Sequence, residues 1–272
     1  MFVIIKGAGD LASGVALRLR HAGFQVVMTE IPRPSAVRRT VCFSQAVYEG
    51  SAWVEDITAA LVKNEGEMRD CCARGCVAVF VDPEAAVVGR FPPDVLVDAI
   101  MAKKNTGTSI NDAPVVVALG PGFTAGVDCH AVIETMRGHT LGRVLTGGSA
   151  LPNTGVPGDI GGFGRERLLR APSDGVFEAL AAIGDRVRRG DVVAVVRGAA
   201  DQGRDAAAEI RAEIDGIVRG LLPQGFAVKT GMKAGDIDPR CERSHCFTVS
   251  DKALAVAGGV LEAVMRFSSN GK

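Results

Sequence analysis

The sequence lacks an excess of charge of either sign: Lys+Arg and Asp+Glu are both 31, the net charge is zero and the pI is near 6.9. No basic footprint is available to hold a phosphate backbone, which excludes a generic nucleic-acid binder. Long apolar runs are missing too. Stretches such as VVVALG at 115–120 fall far short of the roughly 20 residues that cross a bilayer, so no membrane partner is expected. Met1 is followed at once by a strand-like run with no charged leader, so no secretory signal is expected. Aromatics are few, with 11 Phe, one Trp and one Tyr. The seven cysteines are an odd number beside an ordinary core-forming composition; they argue against a disulfide scaffold and read as reduced thiols of a cytoplasmic protein. There is no G-x-S-x-G elbow, no P-loop and no H-E-x-x-H pair.

What the chain has instead is glycine, 34 of its 272 residues, and an interior to be built from Val, Ala, Leu and Ile. The length suits one large domain or two modest ones. The first thirty residues read as strand, glycine turn, helix and strand. FVIIK (2–6) runs into Gly7-Ala8-Gly9-Asp10-Leu11-Ala12; Leu11, Val15 and Leu19 recur at helical spacing, Gly23 suits a left-handed stop, and FQVVMTE closes on Glu30. The spacing is G-x-G-x-x-A with an acid 21 positions after Gly9, the fingerprint of a dinucleotide-binding βαβ unit. In that reading Gly7 makes the tight turn and Gly9 brings backbone N–H groups to a pyrophosphate. Ala12 keeps helix and strand close, and Glu30 accepts from ribose hydroxyls. Asp10, at the helix mouth, would repel a phosphate unless turned away. The alternative is a Rossmann-like fold that has lost or changed its ligand.

Further on, VAVFV (77–81), VLVDAIM (95–101) and VVVALG (115–120) are near-continuous apolar runs, as expected of parallel strands covered on both faces. Residues 56–74 read as helical or irregular. Polar or glycine-rich clusters follow the strands: Gly7 and Gly9, Glu30 with Arg38 and Arg39, Asp82, Lys103-Lys104-Asn105-Thr106, and Gly120 with Gly122. In an open parallel sheet such ends gather at one edge, where ligands bind. Arg38 and Arg39 can meet a phosphate or form a solvated pair, and Lys103 to Thr106 can hold a polyanion or be a hydrophilic loop. Cys71-Cys72-x3-Cys76 lacks a second ligand pair and reads as small buried thiols. Cys241 and Cys246, flanking His245, are the pair open to metal or chalcogen chemistry. No metal site is assigned.

TGGSALPNTGVPGDIGGFG (146–164) is a linker or a backbone wrapped around a ligand. Beyond it the chain repeats at an offset of 41: Arg170-Ala171-x-x-Asp174-Gly175-Val176 returns as Arg211-Ala212-x-x-Asp215-Gly216-Ile217, and Gly184-x-x-Val187-x-x-Gly190 as Gly225-x-x-Val228-x-x-Gly231. Two such halves are expected to pack as a small flattened barrel, which resembles the barrel-sandwich hybrid of biotinyl and lipoyl carriers. The carrier lysine of that family sits at the hairpin between the halves. RGAADQGRDAAAEI (197–210) has none, so no biotin or lipoate is expected. The tail VSDKALAVAGGVLEAVMRF reads as a helix leaning on the first domain, with close packing at Gly258-Gly259. The expected fold class is α/β. A Rossmann-like parallel-sheet domain spans 1–145 and a Gly-rich linker or ligand loop 146–165; a barrel-sandwich hybrid domain spans 166–240 and a C-terminal segment with a helix 241–272.

Five segments carry a family resemblance: KGAGDLASGVALRL, EIPRPSAVRRTVCFSQAVYEG, VDAIMAKKNTGT, GPGFTAGVDCHAVIETMRGHTLGRV and SDKALAVAGGVLEAV. Together they resemble, over nearly the whole chain, the YqeB-type accessory proteins of selenium-dependent molybdenum hydroxylase systems. The resemblance implies a bacterial cytoplasmic maturation protein, working alongside XdhC-type proteins, with the hydroxylase and its maturation factors as partners. It implies a molybdenum-pterin cofactor or nucleotide bound at the strand-end cleft, and it carries over no catalytic residues. Cys241 stands where a glycine is expected. Two other readings stand beside it. One is an NAD(P)-dependent oxidoreductase using His130, His139 or Lys103 as acid or base. The other is a non-catalytic scaffold that docks the apo-hydroxylase through its barrel. A homo-oligomer is compatible with all three.

Overall fold

The computed structural model describes residues 1–156, 158–198 and 207–269. The chain divides into two units, one formed by Met1–Pro34, Val41–Thr154 and Val249–Lys272, the other by Ser35–Thr40 and Gly155–Thr248.

In the first unit the elements follow as β1 (Phe2–Lys6), α1 (Asp10–His21), β2 (Gln25–Glu30), α2 (Ala46–Glu49), β3 (Ser51–Val54), β4 (Ile57–Leu61), α3 (Glu65–Ala73) and β5 (Val77–Val81). Next come α4 (Val87–Arg90), β6 (Val95–Asp98), β7 (Val115–Leu119), β8 (Ala131–Ile133) and β9 (Val144–Leu145), and the chain returns at its end with α5 (Asp251–Ser269). The strands form one nine-stranded sheet in the order β3-β4-β5-β2-β1-β6-β7-β8-β9. Its interior neighbours are parallel, while β3–β4 and β8–β9 pair antiparallel. Alternation sorts the side chains. Val3, Ile5, Val26, Met28, Val97 and Val117 face α1 and α5, and Ile4, Val27, Phe80, Leu96 and Val116 face the side carrying Met68, Cys71 and Val87.

Residues 56–74, expected as helical or irregular, hold both β4 and α3. Thr58, Ala59 and Ala60 give too weak an apolar alternation to announce a strand, but the Glu55-Asp56 turn, with Glu55 at φ +54°, folds it back on β3. The start of α3 is a reciprocal cap: Asn64 Oδ1 accepts from the Glu67 amide at 3.0 Å, and Glu67 Oε2 accepts from the Lys63 amide at 2.8 Å.

The second unit contains β10 (Leu168–Arg170), β11 (Gly175–Ala179), β12 (Arg186–Val187), β13 (Val192–Arg197), β14 (Ala208–Arg211), β15 (Gly216–Leu221), β16 (Ala227–Val228) and β17 (Lys233–Asp238). They form two four-stranded antiparallel sheets, β10-β17-β15-β12 and β14-β13-β11-β16. The 41-residue offset carries one order onto the other strand by strand, so each sheet draws on both halves of the repeat. Phe177, Val196, Val218 and Ile237 meet between them.

The expected fold class, a Rossmann-like parallel domain followed by a barrel-sandwich hybrid, is corrected on both counts. The large sheet is mixed, because the two-residue link between β3 and β4 permits only antiparallel pairing, and the second unit is a pair of separate antiparallel sheets. Residues 199–206, within the stretch that would carry a cofactor lysine, lie outside the described residues. The expected domain limits also differ from the observed units: Ser35–Thr40 belongs with the second, and α5 with the first. Among the described residues no helix is long and apolar enough to cross a membrane.

Candidate functional site

At the carboxyl ends of the central strands of the first unit, Lys6 closes β1 and Asp98 closes β6. Both are buried, at 7% and 1% exposure, and Thr108 between them is at 4%. Lys6 Nζ donates to Thr108 Oγ1 at 2.7 Å, and Thr108 Oγ1 donates to Asp98 Oδ2 at 2.6 Å. The Lys6 ammonium itself lies 3.7 Å from that carboxylate. Removing either partner would leave the other's charge buried and uncompensated. Around the cluster the backbone is strained: Met101 and Lys103 stand in the left-handed region at φ +62° and +63°, which costs a non-glycine residue about 1 kcal/mol or more and concentrates at functional sites.

Asn105 organises the same loop. Its Oδ1 accepts from the Gly107 and Thr108 amides at 2.9 and 2.8 Å, and its Nδ2 donates to the Thr108 carbonyl at 2.8 Å. Gly122, at φ +109°, lies against the backbone of Lys104, where a Cβ would stand 2.6 Å from the Lys104 nitrogen. Gly120 is buried at the end of β7, facing Thr135 and Met101. The predicted loop residues Lys103, Lys104, Asn105, Thr106, Gly120 and Gly122 are thus brought to one edge. The side chains of Lys103, Lys104 and Thr106 lie in solvent.

The glycine turn is engaged differently from its expected use. Gly7, at φ +92°, donates to the Thr29 carbonyl at 2.9 Å, and the Ala8 amide donates to Glu30 Oε2 at 2.9 Å. Glu30 Oε1 accepts from Ile31 at 2.8 Å. Burial pushes the Glu30 carboxyl above its usual range, and the amides of Ile31 and Ala8 pull it back. The acid expected on a ribose therefore occupies an amide of the turn. Ala12 is buried at 1% within α1, and Gly9 caps that helix with open space beside it. Asp10 begins α1. Lys252, in the first turn of α5, is held below its usual range by burial and by Arg137, while Asp10, Glu134 and Asp251 act in the opposite direction.

Arg38 and Arg39 belong to the second unit and serve its backbone. Arg38 donates to the carbonyls of His245 and Thr248 at 3.1 and 3.0 Å, and Arg39 to Leu221 at 2.9 Å. His130 accepts the Val116 amide on Nδ1 at 2.9 Å, which commits that nitrogen to the sheet, and His139 is exposed. Burial pushes the Cys71 thiol up to about 12, with Cys76 and Cys72 adding to the effect. Among the described residues no group of three His, Cys, Asp or Glu side chains could hold a metal. A groove of about 540 Å³ lies at the opposite strand ends, bounded by Phe2, Gln25, Met68, Cys72 and Phe91. Sequence reasoning missed Lys6, Asp98 and Thr108. The signal was a charge at the last position of two runs, FVIIK and VLVD, whose other residues are apolar.

Fold and site define an α/β unit whose central parallel strands end on a buried lysine–threonine–aspartate cluster, joined to an all-antiparallel unit. Over 269 residues the chain is 50% identical to the "Uncharacterized protein YqeB" of Escherichia coli (strain K12), covering 99% of this chain; the chain spans 48% of that protein's length. The resemblance to YqeB read from the sequence is supported at this level. No family model matches the chain. Similar solved structures include an aspartoacylase family protein from Mesorhizobium loti, at 15% identity and a TM-score of 0.29, covering 87% of this chain and 83% of that one. A succinylglutamate desuccinylase/aspartoacylase from Rhodobacter sphaeroides gives 14% and 0.30, covering 87% and 85%. The product-bound ectoine utilization protein EutE (DoeB) from Ruegeria pomeroyi gives 15% and 0.27, covering 78% and 57%. Overlays this loose transfer no activity.

The expected role is corrected. The relative that matches nearly the whole chain is named only as an uncharacterized protein, which gives the maturation role no support. The oxidoreductase alternative loses the ribose acid to the Ala8 amide and one ring nitrogen of His130 to β7. The scaffold alternative loses the barrel on which it rested.

Proposed function

We propose that the first unit is an acid–base module acting on a small polar substrate at its strand-end edge. The observation that carries the reading is the hydrogen-bonded chain Lys6–Thr108–Asp98, each member at 7% exposure or less. The Thr108 hydroxyl is held between a cation and an anion, so Asp98 can take its proton while the Lys6 charge offsets the negative oxygen left behind. The reverse step returns the proton. Lys103 and Lys104 add exposed positive charge on the loop above, which suits a substrate carrying a carboxylate.

The test is chemical-shift mapping of the full chain with pyruvate and malonate as probes. Perturbed amides should cluster at 99–108 and 120–124, and both Thr108→Val and Lys6→Met should remove the response while leaving the remaining amide spectrum in place. Silence of those loops toward both probes, or an unchanged response in both variants, would overturn the reading.

A further inference from the structure

The second unit carries a charged layer that neither the repeat nor the first unit's chemistry explains. Arg219, Asp236 and Asp238 come from β15 and β17, away from the Val218 and Ile237 side chains that enter the core. The register of these two strands shifts between Val218 and Gly220, which makes Arg219 a bulge residue; bulges re-aim side chains and recur beside functional sites. With Arg38 and Arg167, five charged side chains are each exposed by 7% or less. Three guanidinium groups are thus buried with two carboxylates. Arg240, Lys233 and His245 stand half-exposed at the margin.

The repeat supplies an internal control. At an offset of 41, Glu178 corresponds to Arg219 and Arg197 to Asp238. In that half the register across Glu178 is regular, and Arg197 Nε donates to Glu178 Oε2 at 2.8 Å in an ordinary surface pair, 57% and 30% exposed. Reversing the pair, burying it and adding Arg167 and Asp236 happens in one half alone, so the packing of the two sheets does not require it.

Polar atoms in this layer are left over. Arg167 Nη1 lies 3.7 Å from Asp236 Oδ2, yet Arg167 Nε and Asp236 Oδ1 are both buried with no hydrogen-bond partner among the described residues. A buried donor and a buried acceptor without partners cost free energy unless something else satisfies them. Asp238 is different. Burial works to raise its carboxyl, but Arg240 hydrogen bonds at 2.6 and 2.9 Å and the charges of Arg240 and Arg219 hold it below its usual range. Arg167 Nε and Asp236 Oδ1 are thus an unpartnered donor and acceptor within one ion pair, in surroundings of net positive charge, and His245 Nδ1 at the margin is also buried without a hydrogen bond among the described residues.

We propose that this layer is a binding site for a protonated tetrahedral oxyanion, a hydrogen phosphate or a phosphate monoester that keeps one proton. The excess of guanidinium groups balances the anion's charge, and Arg167 Nε donates to one oxygen. An ionised carboxylate only accepts hydrogen bonds, so Asp236 Oδ1 accepts a hydrogen bond from the P–O–H group and repels an oxyanion that has none. Phosphate is bound and sulfate is rejected.

Titration calorimetry and thermal unfolding of the full chain at pH 6.5, with inorganic phosphate, sulfate and glycerol phosphate at matched ionic strength, test this. Phosphate should bind saturably and at least about tenfold more tightly than sulfate, the worth of one hydrogen bond to a charged group. Tighter glycerol phosphate would identify a monoester as the natural form, and tighter inorganic phosphate the free ion; either supports the site. Asp236→Asn should narrow the phosphate–sulfate gap, and Arg167→Gln should weaken phosphate. No saturable phosphate binding, or equal binding of phosphate and sulfate by the unaltered chain, would overturn the proposal without reliance on any variant's folding.

Discussion

Asp174 and Asp215 occupy equivalent places in the repeat, and each accepts a backbone amide from the other half: Asp174 Oδ1 from Thr230 at 2.8 Å, Asp215 Oδ1 from Arg189 at 2.7 Å. Because 189 and 230 are themselves 41 apart, the two bonds are copies of one clip. Asp174 adds Lys229, whose ammonium donates to Oδ2 at 2.7 Å. That bond, followed by those from Thr230, holds the Asp174 carboxyl down to about 2, from an ordinary 3.8. A depressed folded value means that its contribution is fully present above about pH 3.8 and is lost as the pH falls through about 2. A carbon-detected NMR titration should find this midpoint near 2, and Lys229→Met should move it back toward 3.8; a midpoint unmoved by that substitution would assign the shift to the Thr230 amide instead. The Asp-Gly pairs that make these clips were legible in the sequence, because a turn needs those residue types. Lys6 and Asp98 were not, because a charge at a strand end looks the same whether it faces water or another buried charge.

Helix α5 shows how an element is fixed by one close approach. A Cβ on Gly259 would collide with the Gly142 carbonyl oxygen, whereas one on Gly258 meets nothing within 4 Å. On the facing helix, a Cβ on Gly14 of α1 would stand 2.9 Å from the Ala253 Cβ. Adjacent glycines in one helix therefore answer oppositely to the same substitution. Gly258→Ala should stabilise the protein by up to about 1 kcal/mol through helix propensity alone. Gly259→Ala should destabilise it by roughly 1–3 kcal/mol, as overpacking outweighs that gain. Urea unfolding of both variants checks the pair, and a common sign would disprove the packing account. The sequence announced that the Gly258-Gly259 step packs closely. Which glycine touches was illegible, since nothing in the helix's own pattern announces that the distant Gly142 carbonyl meets it.

On the scale of the whole chain, neither unit is continuous: the first is interrupted by Ser35–Thr40 and by Gly155–Thr248. IPRPSAVRRTVCF reads only as a turn, because prolines report local geometry and carry no information on which distant strand the segment will meet. Leu221 in β15 donates its amide to the Val37 carbonyl at 2.8 Å, a pairing across 184 positions that no local pattern encodes. The same discontinuity makes α5 indispensable to the first unit. Its Val256, Val260 and Val264 are wholly buried there, and burying a valine contributes about 1.5–3 kcal/mol. Three such residues match the low end of a domain's entire stability, about 5 kcal/mol. A chain ending at Thr248 should therefore lose hydrogen-exchange protection in β7 and β8, against which α5 packs. Protection in β13 and β17 should persist, since every element of the second unit precedes that point. Full protection of β7 in the shortened chain would mean that the sheet and α1 hold the first unit together without the helix, and would leave α5 as an accessory to a core already complete.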